Sequence, residues 1–369
     1  MKKRHVKNKV MVKLSGFIPL LLIALLLPAM SGLMGCRPAY LWQAMTGQAG
    51  LLRGSLSKDD PRLKAELTAA DFDKLAYVAE VVAFAQKELG LARSDNYQKV
   101  YPRNQGAVIY VLSAAPRDQL TSETWWFPVV GSMGYLGFFD REMAVRYKKE
   151  LDEAGLDTHL RTALAYSTLG WFKDPVTRPM LGLSKPVLAS LIIHELTHVT
   201  LYVNGQTDFN EGLANFVGQA GAVRFFQARR EPELVVWLEK SAADETRFVA
   251  FLDQLTDRLK KLYSKTPRPI DLEPKKREII TAAQAEFRSQ AHLYITPAFS
   301  KFGEQEINNA VILAYSRYHQ SYPLFQQVFE RQGNDFKKFL TFFIQAAKEN
   351  NDLMQFTRDW VTSHQDERP

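Results

Sequence analysis

The feature that most constrains the fold is a change of pattern near Ser184. Strand and turn signals dominate before this residue, whereas the chain after it has an almost entirely helical pattern. Ser184 can cap a first turn, and Pro186 stands where a missing N–H costs least, so a helix is expected to begin here. Helical periodicity then continues to about Lys348. This order predicts an α+β fold, with a small mixed sheet followed by a mostly helical C-terminal part.

The segment before Ser184 carries the strand signals. A β-branched stretch at 107–112 and an aromatic-rich stretch at 124–130 predict strands. A helix is expected earlier, over 60–91, where Thr68 can act as a cap. The Pro-rich stretch 267–269 indicates a loop rather than a domain boundary. We predict one domain over residues 59–369, sheet-rich at about 100–183 and helical at about 184–369.

Residues 1–35 have the layout of a secretory signal peptide. Six Lys and Arg residues and no acid precede an apolar run from Phe17 to about Met30, which is short for a membrane span of about 20 residues. Without these six, 41 Lys and Arg residues face 40 Asp and Glu residues, so the mature chain carries a net charge of +1. The net charge of +7 therefore describes a targeting segment and argues against nucleic-acid binding.

Cys36 is the only cysteine of the chain and ends this segment in Leu-Met-Gly-Cys, which resembles a bacterial lipobox. The resemblance implies cleavage before Cys36 and lipidation of Cys36, which would anchor the protein to a membrane without spanning it. Residues 36–58 are then expected to be a tether. Arg37 follows the cysteine instead of Asp, which favours the outer membrane of the bacterial cell envelope, facing the periplasm. The alternative is a buried cysteine near the end of an anchor helix.

The segment that carries chemistry is His194-Glu195-Leu-Thr-His198. Histidines four apart on a helix project from one face, one turn apart, and this spacing suits a single Zn²⁺ ion. Glu195 lies beside the metal in this arrangement and is placed to deprotonate a bound water. The alternative is a buried helix whose histidines are satisfied by hydrogen bonds in the core, since the preceding residues are strongly apolar.

A catalytic zinc needs a third protein ligand and an open position. Glu211 stands thirteen residues after His198, beyond Gly205, which is expected to end the first helix. A short loop would return a second helix across the first, with Glu211 in its first turn facing the metal. The predicted ligands are therefore His194, His198 and Glu211, for one Zn²⁺ per chain.

HELTH followed by NEGLAN resembles the gluzincin-type zinc metallopeptidases, in which two His and a downstream Glu bind zinc. Segments over most of the chain, among them YLWQAMTGQAGLLRG and INNAVILAYSRYH, resemble a family of bacterial lipoproteins described as aminopeptidases. The resemblance implies a zincin-like fold and a peptide substrate. In such families the residue four after the Glu is often an Asp that supports a His ligand. Asn215 stands there in this chain and would accept the hydrogen bond without adding charge.

Further residues of the reaction are less defined by the sequence. The resemblance implies a Tyr or His that donates a hydrogen bond to the oxyanion, and Tyr318 is preferred, with Tyr315 and His319 as alternatives. These aromatic residues also suit a helix that packs in the core. The stretch 165–172 is either an edge strand that binds substrate backbone or a core strand with a turn. Asp174 and Glu123 are both available to bind a substrate amine.

Three functions remain open from the sequence. The first is a membrane-anchored zinc aminopeptidase, and the second is an endopeptidase with the same site. The third is a non-catalytic lipoprotein scaffold with a zinc site, which is less expected because structural zinc sites usually close with four protein ligands. The sequence leaves the oligomeric state open.

Overall fold

The computed structural model describes residues 38–103, 109–127, 131–163, 173–265 and 269–364. Of the described residues, 67% are helical, and small sheets lie in the first half of the chain, which confirms the predicted α+β class. The signal segment, Cys36 and the stretch 165–172 lie outside the described residues. None of the helices in the described ranges is long and apolar enough to cross a membrane.

Within the described ranges, eight short strands form three sheets. They are β1 Leu56–Ser57, β2 Lys99–Tyr101, β3 Ile109–Pro116, β4 Trp125–Phe127, β5 Gly131–Met133, β6 Leu136–Phe138, β7 Leu156–Ala163 and β8 Val176–Thr177. The first sheet is mixed, because β2 pairs antiparallel with β1 and parallel with β8. The second is antiparallel in the order β6-β3-β7, with Val111 opposite Arg161, and β4 and β5 form a separate hairpin.

The helices follow in chain order and become continuous after residue 178. They are α1 Pro38–Arg53, α2 Leu63–Glu66, α3 Ala69–Lys87, α4 Arg141–Glu153, α5 Arg178–Leu181, α6 Lys185–Thr200, α7 Thr207–Arg229, α8 Pro232–Lys265, α9 Pro269–Ser289, α10 Asn309–His319, α11 Tyr322–Arg331, α12 Phe336–Glu349 and α13 Leu353–Ser363. Two short 3-10 helices, Ala291–Leu293 and Pro297–Gly303, connect α9 to α10.

Two elements near the N-terminus differ from expectation. Residues 38–53, expected to be part of a tether, form α1, which docks on the second sheet. Gln43 accepts a hydrogen bond from the backbone N–H of Phe139 and donates one to the carbonyl of Gly137. The helix expected over 60–91 is divided at Thr68, whose side chain forms a capping box with Asp71 and starts α3 there.

Three apolar cores among the described residues position these elements. The largest joins α3, α6, α7 and the C-terminal helices, with Ile192, Leu196 and Phe216 almost fully buried. A second core lies between α8, α9 and α10 around Phe248, and a third lies under the β6-β3-β7 sheet. Helix α7 therefore lies between the largest core on one side and helix α10 with the second sheet on the other.

Candidate metal centre

Helix α6 carries both predicted histidines on its last two turns. Pro186 occupies its first turn, and the helix ends where Leu201 adopts an extended conformation. Leu188, Ile192 and Ile193 are buried, which fixes the helix in the core. Glu195 and His198 are buried as well, whereas His194 is partly exposed.

The loop after α6 brings Glu211 to the histidines. Gly205 has a φ of +78°, a conformation that a glycine adopts without strain. Asn210 then closes the loop with two hydrogen bonds. Its side-chain amide accepts one from the N–H of Val203 at 2.9 Å and donates one to the Val203 carbonyl at 2.8 Å. These bonds fix the start of α7 and with it the next residue, Glu211.

Helices α6 and α7 lie unusually close together beside the site. A Cβ atom on Gly218 would stand 2.7 Å from the carbonyl oxygen of Ser190 and 3.1 Å from Cβ of His194. A larger residue at 218 would therefore push the two helices apart. The predicted return of a second helix across the first is present in the structure.

The three predicted ligands meet at one point. His194 Nε2 lies 3.2 Å from His198 Nε2 and 3.4 Å from Glu211 Oε2, and His198 Nε2 lies 3.6 Å from the same oxygen. Tetrahedral bonds of about 2.0–2.1 Å place two ligand atoms about 3.3 Å apart. The spacing of these three atoms therefore fits a zinc-sized ion, and the group could bind a metal.

The charges in the cluster support one another. Burial raises the pKa of Glu211, but the two histidines lower it more, so that the pKa stays well below its usual value. Burial lowers the pKa of His198, but the charge and hydrogen bond of Glu211 outweigh burial and raise it. The cluster thus holds an ionised carboxylate against two imidazoles, which is the donor set that a divalent cation needs.

Tyr135, between β5 and β6, completes the environment of Glu211. Its hydroxyl donates a hydrogen bond of 3.0 Å to Glu211 Oε1, the oxygen that does not face the histidines. The guanidinium of Arg317 lies 5.7 Å from the Tyr135 ring centroid. Arg317 is itself fixed by Asp208 Oδ1 at 3.1 Å and by Ser122 Oγ at 3.0 Å. Tyr135 has no signal in the sequence, because nothing in the segment Gly-Tyr-Leu-Gly marks a contact to a ligand.

Tyr318 lies at the site, as predicted. Its ring stacks on the ring of His194 at a centroid distance of 6.4 Å. Its hydroxyl accepts a hydrogen bond of 2.8 Å from Nη2 of Arg161, on β7. Burial raises the pKa of Tyr318 to about 12, with a further contribution from Glu211, so the phenol is a hydrogen-bond donor at neutral pH.

The two alternatives to Tyr318 are engaged elsewhere. The Tyr315 hydroxyl accepts a hydrogen bond from Gln305 and its ring packs in the second core. His319 lies with Nδ1 2.7 Å from Oε1 of the buried Glu245. Of the three residues, Tyr318 is the one whose ring contacts a predicted metal ligand.

Asn215 faces the same Glu245. Its Nδ2 donates to Glu245 Oε1 at 2.9 Å, and Gln219 donates to its side-chain oxygen at 3.4 Å. No hydrogen bond from Asn215 to His194 or His198 occurs among the described residues, and within them the buried Nδ1 of His198 has no partner. The predicted support of a histidine by Asn215 is therefore replaced by a contact to α8, whose carboxylate attracts the amide.

Of the remaining predicted residues, Glu195 lies at the cluster, whereas Asp174 and Glu123 have other contacts. Glu195 is buried beside the ligands, and its negative charge contributes, after that of Glu211, to raising the pKa of His198 and Tyr318. Asp174 is buried, and its carboxylate and backbone N–H both contact the Asn96 side chain, which leaves it poorly placed to bind a substrate. Glu123 precedes β4, with its backbone N–H bonded to Ala114.

The fold and the site define an α+β protein with a candidate metal centre that is built from two packed helices and contacted by Tyr135 and Tyr318. The chain belongs to the protein family described as "Putative aminopeptidase", whose profile matches residues 39–358. The resemblance to a family of aminopeptidases is thereby confirmed over most of the chain, and the family suggests peptidase activity. No curated protein and no solved structure matches the chain.

Proposed function

We propose that this protein is a zinc-dependent aminopeptidase of the gluzincin type, with zinc held by His194, His198 and Glu211. The observation that carries the proposal is the spacing of 3.2 to 3.6 Å among the three ligand atoms. Two imidazoles and a carboxylate form a donor set that favours zinc and leaves one position open for chemistry. Membership of an aminopeptidase family supports a peptide as the substrate.

The residues around the cluster have complementary roles in hydrolysis. Zinc, when bound, supplies a Lewis acid that makes water more acidic and polarises the scissile carbonyl. Glu195 accepts the proton of the attacking water and returns it to the leaving amine. Tyr318 donates a hydrogen bond to the carbonyl oxygen as negative charge develops there. Both residues stand on helices that pack in the apolar cores.

The exopeptidase assignment is supported by the family description and not by a residue that binds the substrate amine. An endopeptidase would use the same zinc ligands and the same Glu195. A non-catalytic scaffold would have no need of Glu195 buried beside the ligands. These alternatives are separated by the products formed from peptides.

We further propose that the mature chain begins at Cys36 and is lipid-anchored, with its catalytic domain in the periplasm. The support is the order of cations, apolar run and Leu-Met-Gly-Cys in the sequence. Mass spectrometry of the N-terminal peptide from membranes tests this proposal. An acylated Cys36 with no residue before it is expected, and an N-terminal peptide that still contains residues before an unmodified Cys36 would contradict it.

Peptide cleavage by the full-length chain in detergent tests the enzymatic proposal. Peptides with free and with acetylated N-termini are incubated with the zinc-loaded protein, with a chelated sample and with Glu195→Gln, and the products are identified by mass spectrometry. Removal of single N-terminal residues from free peptides only, lost with the chelator and in Glu195→Gln, is the expected result. Internal cleavage would favour the endopeptidase. Absence of cleavage by protein that holds one zinc would favour the scaffold.

A further inference from the structure

Arg161 is a cation at the candidate metal centre, and no carboxylate in the described part of the chain forms an ion pair with it. It lies near the end of β7, partly buried, and its Nη2 donates to the Tyr318 hydroxyl at 2.8 Å. Its guanidinium carbon is 5.2 Å from the Tyr318 ring centroid. Because the Tyr318 ring stacks on His194, this contact places the Arg161 guanidinium at the edge of the metal cluster.

The other arginine of the site shows the contrast. Arg317 is buried and forms an ion pair with Asp208 at 3.1 Å. Among the described residues, Arg161 forms no ion pair, and its one side-chain hydrogen bond goes to a neutral phenol. The undescribed segments next to the sheet and before α6, 104–108, 128–130 and 164–172, contain no Asp or Glu that could pair with it.

A partly buried guanidinium without a counter-charge is costly unless an anion completes it. With a divalent ion on the cluster, Glu211, Glu195 and Arg161 leave a net charge of +1 at this centre. A planar guanidinium has five N–H donors and matches a carboxylate with two parallel hydrogen bonds. Arg161 uses one donor on Tyr318, which leaves a pair of N–H groups for a ligand.

We infer that Arg161 binds a carboxylate of the substrate, and that the enzyme prefers short peptides carrying a carboxylate one residue from the scissile bond. The inference rests on the proposed function. The C-terminal carboxylate of a dipeptide lies within one residue, about 3.8 Å between Cα atoms, of the bond that is cleaved. An acidic side chain in the second residue offers the same chemistry. In this arrangement Tyr318 lies beside the scissile carbonyl, and Arg161 binds the carboxylate of the residue that follows it.

Binding to the zinc-loaded, full-length Glu195→Gln protein tests the inference without turnover. Calorimetric titration compares Ala-Ala with Ala-Ala amide, two ligands that differ only in the carboxylate. We expect the acid to bind about 10- to 100-fold more tightly, the range of a charge-assisted hydrogen bond. Ala-Glu amide against Ala-Gln amide distinguishes a side-chain carboxylate from a C-terminal one.

The same titrations with Arg161→Gln added to Glu195→Gln assign the preference to this residue. The preference for the acid should fall below about threefold, because the acid loses its charge-assisted hydrogen bond while the affinity of the amide changes little. Arg161→Lys should retain part of it, since a lysine keeps the charge and loses the fork. Arg146→Gln, a substitution of an exposed arginine on α4, should retain all of it. Equal zinc content and melting temperature show that the variants are folded.

Each outcome decides one question. Equal binding of acid and amide in both ligand pairs, or a preference that survives Arg161→Gln, would overturn the inference. An equal loss of affinity for the acid and for the amide in Arg161→Gln would also overturn it, since Arg161 would then act only by positioning Tyr318. If Ala-Ala binds with the expected preference but the active protein cleaves no peptide, the proposed function fails, while the binding of a carboxylate by Arg161 stands.

Discussion

The hydroxyl of Tyr135 donates a hydrogen bond to Oε1 of Glu211 at 3.0 Å, while Oε2 of the same carboxylate faces both histidines. One oxygen of Glu211 is therefore occupied, and the other points to the candidate metal position. A carboxylate held in this way would bind a metal through a single oxygen, with its rotation restricted. Arg317, above the Tyr135 ring, keeps the phenol in place.

Tyr135→Phe should weaken zinc binding while leaving all three ligands present. Loss of a hydrogen bond to a ligand typically lowers metal affinity about 10- to 100-fold. Competition with a chromophoric chelator measures the dissociation constant in each protein. Tyr101→Phe, on β2 in a different sheet, is the matched control and should bind zinc as the parent does. Equal affinity in Tyr135→Phe and the parent would show that Glu211 needs no orientation by the phenol.

Glu195→Gln should separate catalysis from metal binding. The variant keeps the three ligands and should retain one zinc per chain, whereas kcat for peptide cleavage should fall about 10²- to 10⁴-fold, since the general base is lost. Glu211→Gln should lose zinc and activity together, because an amide is a poor ligand. Metal analysis and peptide kinetics on the same samples give both quantities. Loss of zinc from Glu195→Gln would place this residue among the ligands instead.

The metal cluster is the part of the molecule that local sequence rules predict best. Histidines four apart share a helix face wherever the helix forms, and the apolar residues before them ensure that it forms. Glu211 was predictable because Gly205 marks a break between two helices and a short loop leaves few positions for the second, although the first helix already ends at Thr200. Covalent geometry and helix periodicity decide both features, so little tertiary information is needed.

The surroundings of the cluster depend on long-range contacts that no local pattern encodes. Tyr135 and Arg161 reach the site because the β6-β3-β7 sheet packs against α10, and their spacing from His194 in sequence gives no hint of it. Asn215 was expected to contact a histidine, but Glu245, thirty residues later, attracts its amide. Helix α1 was expected to be a tether, because its side-chain contacts to the sheet are not visible in its composition.

Tyr318→Phe should lower kcat more than it raises KM, since the phenol is assigned to the developing oxyanion. Loss of one such donor typically costs about 10²- to 10³-fold in kcat. Because the pKa of Tyr318 is raised to about 12, chiefly by burial, the phenol stays protonated as pH rises to 9. The parent and the variant should therefore show pH profiles of the same shape between pH 6 and 9. A parent rate that falls in this range, where the variant's does not, would contradict this role.

Lys276→Met should destabilise the fold by removing the buried cation beside Asp157, because the other cation, Arg117, is about half exposed and lies 3.8 Å away. Lys276 Nζ lies 2.5 Å from Asp157 Oδ2, both residues are buried, and the same oxygen accepts the backbone N–H of Asn309 at the start of α10. Removing one partner of a buried pair typically costs about 3–5 kcal/mol. Urea denaturation measures the free energy of unfolding. Lys275→Met, a change at the exposed neighbour, should alter it by less than about 0.5 kcal/mol. Equal stability of the two variants would contradict a structural role for the pair.

His159 should make the fold sensitive to mild acid. Burial first, then the charges of Arg161 and Lys148, lower its pKa from 6.5 to about 4 in the folded protein. Between pH 6.5 and 4 this imidazole is protonated in the unfolded chain but neutral in the folded protein. The free energy of unfolding therefore falls as pH decreases from 6.5 toward 4. In metal-free protein, His159→Gln should reduce the stability lost between pH 7.5 and 5 by about 2 kcal/mol. Urea denaturation at both pH values measures this difference, and His292→Gln, at an exposed site, is the control. A parent and a His159→Gln variant that lose the same stability would show that the folded protein accommodates the charged imidazole.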